Sequence, residues 1–546
     1  MRTLVVTLAL ALPAAALAQT AAECQQPRDV DKYQLLRRLS LDLRGRIPDV
    51  TEYEALDAQS AVPASVIRSY LSSDDFRLVM RRYHEELFWP NLSNLALANV
   101  NAQLVVNGTT NGPPDVWLLS STARRRTFRG VTDANTAHGL QCGDYEQTHF
   151  LPGGGFRPDP AFIRTTVVNG VTVRQEGWRL VTPYWSTTPI KVCAYDAQET
   201  ETVTVGTGAA ARTLSCGHFE TNGNPACGCG VGLKFCYGPT ASVRNVITAS
   251  AREQVGLLVD RVSTGGRPYT DLVLSRVAPV NGPLAFWKQN LASNLSVNRI
   301  WAMPDPTEPP TNKAFSDLTW TDVDRGTDLH AGVLTTTAYL LRFQTNRARG
   351  NRYRIDFECE SYVPPSRLEE PAADNCSASS DDLTKRCTCR GCHRGLEPLA
   401  SHWGQFAEGG TTLLTDLIAW PRTRMNCVGS TNAVCNRFYV TNPDADNAGA
   451  LQPYQYADAQ HPELAPALAR GPRKRVNESI ANGTFARCVV KRTWSSLMKR
   501  DLRLAGPGAD EGETLDQLAT GFTSNNYSLP WLVEQIVSKP QYRRVR

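Results

Sequence analysis

Cys389-Arg390-Gly391-Cys392-His393 sets two cysteines and a histidine in Cys-x-x-Cys-His spacing, and that spacing has a physical reason. On one turn of helix the two thiols reach the two vinyl groups of a haem as thioethers, and the next side chain swings beneath the ring. The residues therefore point to one covalent haem c, with Cys389 and Cys392 as its anchors and His393 as the proximal iron ligand. Random placement of 15 Cys and 8 His over 546 positions yields roughly 0.006 copies of the motif, so chance is a poor source of it. Two other uses compete for the same atoms. One is a disulfide through Cys389 or Cys392; the other is a tetrahedral zinc site built from Cys387, Cys389, Cys392 and His393.

Downstream of the motif, Met425 follows Pro421 and is the expected distal iron ligand. Met498, Met303, Met80, His330, His402 and His84 compete, each read first as a packing or surface residue. A filled sixth position favours electron transfer, whereas an open one admits oxygen or peroxide chemistry.

Export agrees with haem attachment. Arg2 precedes an apolar run over residues 4–12, and Ala16-Leu17-Ala18 puts small residues where a signal peptidase reads them, so 1–18 is read as a signal peptide. The run is shorter than the roughly 20 residues a membrane span needs, and no transmembrane segment is expected in the mature chain. Glu23 stands where a lipoprotein signal requires a small residue before Cys24. Fifteen cysteines fit an oxidising compartment, hence a periplasmic or secreted protein. The formal charge of +5 is spread along the chain, which argues against a nucleic-acid partner.

The pattern from 25 to 95 is helical, with Leu36, Leu39 and Leu43 on one stripe, a capping-box signature at Thr51 and Glu54, and Asp74 heading a second stripe. Over 96–248 the periodicity is lost and short β-type runs appear. The clearest is 162–168, Asn169-Gly170, then 171–174, a hairpin with a type I′ turn. Helical spacing returns over 249–345, where Ser250 and Glu253 suggest a capping box and Gly265-Gly266 a stop. The motif occupies 346–480, and 481–546 carries three helical stripes. The expected fold is mainly α: a multi-helical cytochrome c-like protein with a loop-rich, disulfide-containing β insert.

Other candidates carry less. Cys216, Cys227, Cys229 and Cys236 are read as disulfide partners before a zinc knot, because export removes the reducing environment. Gly153-Gly154-Gly155 lacks the Gly-Lys-Ser/Thr of a phosphate loop. Asp381-Asp382 and Glu85-Glu86 read as solvated faces, and spacing identifies no Ser-His-Asp arrangement.

Leu36-Arg37-Arg38-Leu39-Ser40-Leu41-Asp42-Leu43-Arg44-Gly45, followed by Ile47-Pro48, resembles the helical domain of the families that accompany planctomycete and myxobacterial cytochrome c domains. Arg267-Pro268-Tyr269-Thr270-Asp271-Leu272 and Asn281-Gly282-Pro283-Leu284-Ala285 resemble its neighbour. His330-Ala331-Gly332-Val333-Leu334-Thr335, with the motif and Glu397-Pro398-Leu399, resembles the domain in which Cys-x-x-Cys-His precedes Asp-Pro-Leu-Gly; here Glu397 and Ala400 replace the Asp and the Gly. Residues 485–542 resemble the short C-terminal helical domain. The resemblance implies a haem-associated exported protein and no particular reaction. The expectation is an exported mono-haem c-type cytochrome-like protein that serves as an electron-transfer component with a redox partner protein. The alternatives are a disulfide-stabilised structural or binding protein without haem, and a haem-dependent oxidoreductase.

Overall fold

The computed structural model describes residues 29–93, 97, 102–106, 115–120, 142–168, 170–208, 211–217, 221, 224–292, 313–360, 376, 383–411, 413, 423–431, 435–436, 439–445, 448–451, 462–506 and 509–544. The expected leader at 1–18, Cys24, Asn169, Met303 and Asp381-Asp382 lie outside them. Of the described residues 47% are helical and 15% in strands, and six strands form one sheet. The fold is thus mixed α/β, which corrects the expected mainly α, cytochrome c-like architecture. The physical reason is strand length: five of the six strands have only three to five residues, too few for alternation to stand out in a sequence window.

The chain divides into two compact units. The first takes the residues up to Tyr83, Ser263–Gly266 and those from Val489 onward; the second takes His84–Val262 and Arg267–Cys488.

In the first unit, α1 (Lys32–Arg44) buries Leu35, Leu36, Leu39 and Leu43, starts where the Asp31 carboxylate accepts the N–H groups of Tyr33 and Gln34, and stops at Gly45. Helix α2 (Val50–Asp57) starts at Asp49, whose N–H donates to Glu52, so the capping box lies two residues before the expected Thr51–Glu54 pair. Helices α3 (Ala64–Leu71) and α4 (Asp74–Phe88) follow. Ser73 rather than Asp74 caps α4, its hydroxyl accepting the Phe76 N–H at 3.1 Å. Remote segments of the chain meet here: the Tyr542 hydroxyl donates to Asp42 of α1 at 2.7 Å.

The second unit holds the sheet: β1 (Leu104–Val106), β2 (Val116–Leu119), β3 (Cys142–Glu146), β4 (Arg164–Val168), β5 (Val171–Val181) and β6 (Ile190–Cys193). Its order is β1-β2-β6-β5-β3, with β4 also paired to β5. Pairs β2·β6 and β3·β5 are parallel; the rest are antiparallel. The β4–β5 hairpin is as expected, with Val168 opposite Val171. Gly170 adopts φ +81°, the left-handed conformation a type I′ turn demands. Disulfides Cys216–Cys227 and Cys229–Cys236 sit in the core beside Leu104, Leu119, Val192 and Phe235. This is the disulfide reading of that cysteine cluster, and the cross-links stiffen a region of short strands.

Helix α5 (Arg244–Ser263) begins before the expected Ser250 start and ends ahead of Gly265-Gly266. Ser250 is therefore inside the helix, where its hydroxyl accepts from Asn281 at 2.9 Å. The motif region packs α6 (Asn346–Tyr353) against α7 (Arg390–Ser401). Their approach is close: a Cβ on Gly350 would stand 2.7 Å from Leu399 Cγ, so no larger residue fits without movement. Trp403, wholly buried, anchors the end of α7 by donating its indole N–H to the Leu334 carbonyl at 3.2 Å. Helix α8 (Ala465–Ala481) follows, and at the start of α9 (Thr484–Met498) Cys488 joins Cys359 while Phe485 stacks on Phe357. The first unit then resumes with α10 (Gly512–Ser524) and α11 (Leu529–Val537), whose expected stripes, Leu515, Leu518 and Phe522, then Leu532, Val533 and Ile536, are buried.

Candidate functional site

The Cys-x-x-Cys-His residues form the first turn of α7. The Arg386 carbonyl accepts the N–H groups of Cys389 and Arg390, and the Cys389 carbonyl accepts those of Cys392 and His393. A three-residue step on this turn puts the two sulfurs on neighbouring positions of one side. Cys389 and Cys392 are free, partly exposed thiols. Five disulfides take up Cys216, Cys227, Cys229, Cys236, Cys359, Cys376, Cys387, Cys427, Cys435 and Cys488. The remaining described cysteines outside these bridges, Cys142 and Cys193, are buried with the sheet.

This pairing weighs on the two competing readings of the motif. Cys387 is bonded to Cys376, so it is not a thiolate for a zinc site. Among the described residues no group of three or more His, Cys, Asp or Glu is arranged to hold a metal ion. A haem iron asks for less, because the porphyrin supplies four of its ligands and the protein one or two.

His393 is held by its own helix. Its Nδ1 lies 2.6 Å from Glu397 Oε1, an i,i+4 pair on one face of α7. A carboxylate only accepts, so Nδ1–H is the donor, and in the neutral imidazole the lone pair then resides on Nε2. Glu397 Oε1 also accepts from Arg347 of α6, from Nε at 2.8 Å and Nη2 at 2.5 Å. Its other oxygen is buried and takes no hydrogen bond among the described residues. The carboxylate is almost enclosed, its side chain 9% exposed against 19% for His393. An imidazole whose Nδ1–H is tied to a carboxylate presents an oriented, more basic Nε2, the usual arrangement of a metal-ligating histidine. The donor set thus fits a haem: two reduced thiols and one directed nitrogen on a single turn.

Met425 stands apart from this turn. It is 67% exposed and begins the short turn Met425–Cys427, whose last residue is bonded to Cys435. Its competitors among the described residues are packed. Met80 and Met498 are core residues. His84 is buried against the Tyr269 hydroxyl at 2.9 Å, and His330 is buried with its ring against Phe406. His402 sets Nδ1 3.1 Å from the Gly471 carbonyl, and burial pushes its pKa down to about 4. The structure joins Cys389, Cys392 and His393 and leaves Met425 on a separate turn.

Sequence reasoning treated Glu397 only as a departure from an Asp-Pro-Leu pattern and did not single out Arg347. The i,i+4 spacing from His393 to Glu397 was the available signal; Arg347 offered none, being brought in by the packing of α6 on α7. On another side of α7, Gly395, Pro398 and His402 line a cavity of about 340 Å³ with α8 residues Lys474 and Glu478. No described helix is long and apolar enough to cross a membrane. Comparison of the chain with family models, with curated proteins and with solved structures finds no match.

Proposed function

We propose that the chain is an exported mono-haem c-type protein that transfers electrons to or from a partner protein, its haem c joined through Cys389 and Cys392 and its iron ligated by His393. The observation that carries this reading is the first turn of α7. The other partly exposed cysteines, Cys359, Cys376 and Cys387, are in disulfides, whereas Cys389 and Cys392 remain thiols beside an imidazole with a directed Nε2. Attachment needs them so: each S–H adds across a vinyl C=C with no net oxidation or reduction, and a disulfide has no hydrogen to add. When bound, the haem supplies a one-electron couple. The chain's own part is to fix the ring by two covalent bonds, orient the ligand through Glu397 and hold α7 in place through Trp403 and Gly350. Five disulfides and the leader reading support a periplasmic or secreted location. The motif order supports kinship with the cytochrome c-associated families, and the spread of charge supports a protein partner over nucleic acid.

Expression with the cytochrome c maturation machinery tests this reading. The expected result is a haem-staining band on a denaturing gel at the mature size, carrying the mass of one haem, and complete loss of stain in the Cys389→Ser/Cys392→Ser variant. A colourless wild type of apo mass, from cells that mature a control c-type protein, rejects it.

A haem-dependent oxidoreductase is the second reading, supported by the exposure of Met425; an iron without a sixth protein ligand would admit oxygen or peroxide. On that reading cyanide shifts the absorption spectrum of the oxidised protein and Met425→Ala leaves it unchanged. A spectrum indifferent to cyanide and altered by Met425→Ala favours the filled, electron-transfer site.

A further inference from the structure

We infer that Glu397 and Arg347 set the reduction potential of the iron bound by His393, Glu397 lowering it and Arg347 raising it. The inference rests on the haem reading above and assigns these two residues, which touch neither sulfur, a role of their own.

The geometry supplies the reason. Glu397 Oε1 is 2.6 Å from His393 Nδ1, so a full negative charge, rather than the partial charge of a backbone carbonyl, faces the back of the ligand. Hydrogen bonding of this kind raises the electron donation of the imidazole and favours the more positive, oxidised iron. The charge is poorly screened: Glu397 is buried, and its second oxygen has no hydrogen bond among the described residues to spread it. Charge interactions at such a site are stronger than in water.

Arg347 opposes this effect through the same oxygen, which accepts both its Nε and its Nη2. Its side chain is 29% exposed against 9% for Glu397, so water screens the cation more than the anion and the anion dominates at the imidazole. Both residues are positioned by rigid elements. Glu397 follows His393 by one turn of α7, and Arg347 rides on α6, pressed against α7 at Gly350 and Leu399. They are positioning residues acting through His393.

Redox titration of the full-length haem-loaded protein tests the assignment. Glu397→Gln keeps an acceptor oxygen and the side-chain shape but removes the charge. The expected result is a shift of at least tenfold in the reduction equilibrium, a rise of about 59 mV for one electron. Arg347→Met shifts the potential the other way by a smaller factor, and Glu397→Asp returns it towards wild type. Opposite signs are the diagnostic, because general loosening of α7 moves both variants in one direction. If Glu397→Gln fails to fold, Arg347→Met carries the test alone, and a potential at or above wild type overturns the inference. A coloured wild type whose variants keep its potential, or shift together, overturns this inference and leaves the haem reading standing. A colourless wild type overturns both.

Discussion

The Cys359→Ala/Cys488→Ala variant unfolds with a free energy about 4 to 5 kcal/mol below that of the wild type, the largest stability loss expected from any one bridge. The bridge spans 129 residues, and the loop entropy a cross-link removes from the unfolded chain grows with the logarithm of that length. Cys427–Cys435 spans only 8, for which the same reasoning gives about 2 to 3 kcal/mol. The site feels the longer bridge too, since Cys359 lies just beyond α6 and Tyr353, whose hydroxyl is bonded to Ser479 of α8. Urea unfolding under non-reducing conditions, comparing the two double variants with wild type, checks the difference. Equal midpoints for the two variants at an unchanged slope would sink the argument, because a common slope makes the midpoint report stability.

Arg349→Met is expected to cost about 3 to 5 kcal/mol, through a different cause. Arg349 is fully buried and donates to the carbonyls of Phe343, Leu340, Ala407 and Gly410 and to the Asn346 side chain, at 2.7 to 3.0 Å. Leu340 and Phe343 lie at the end of the helix Thr337–Arg342, where carbonyls have no partner within the helix. A methionine relieves the cost of burying a cation, but it leaves those carbonyls enclosed without donors at about 1 to 3 kcal/mol each. The second effect wins because the acceptors outnumber the single charge. Arg349→Lys recovers only part of the loss, since one ammonium cannot reproduce the planar fork. Denaturant titration of both variants decides it. A methionine variant as stable as wild type would show that the carbonyls find other donors.

These two residues also mark the limit of what could be read from the chain. Nothing near Cys359 in the sequence names Cys488, and Arg349 is one of many arginines until its helix is packed. The Cys-x-x-Cys-His turn was legible because its spacing is that of one helical turn, and so was the Asn169-Gly170 hairpin, whose register a two-residue turn settles. The helix stop at Gly265-Gly266 was legible because glycine ends a helix locally. The starts at Asp49, Ser73 and Arg244 were misplaced by one to six residues, because several Ser, Thr and Asp residues in a row offer equivalent caps and packing chooses among them.

By itself the sequence determined the local chemistry: two thiols and an imidazole on one turn, a cluster of cysteines suited to disulfides, and the apolar stripes of the terminal helices. Tertiary structure alone decided that short strands from distant segments assemble a six-stranded sheet, that Cys387 pairs with Cys376 and leaves Cys389 and Cys392 as thiols, and that Arg347 reaches the carboxylate behind His393. The reason is the range of the forces that choose. A helical turn is settled by hydrogen bonds three and four residues apart. Strand partners, disulfide partners and buried ion pairs are settled only when loop closure and burial bring remote segments together.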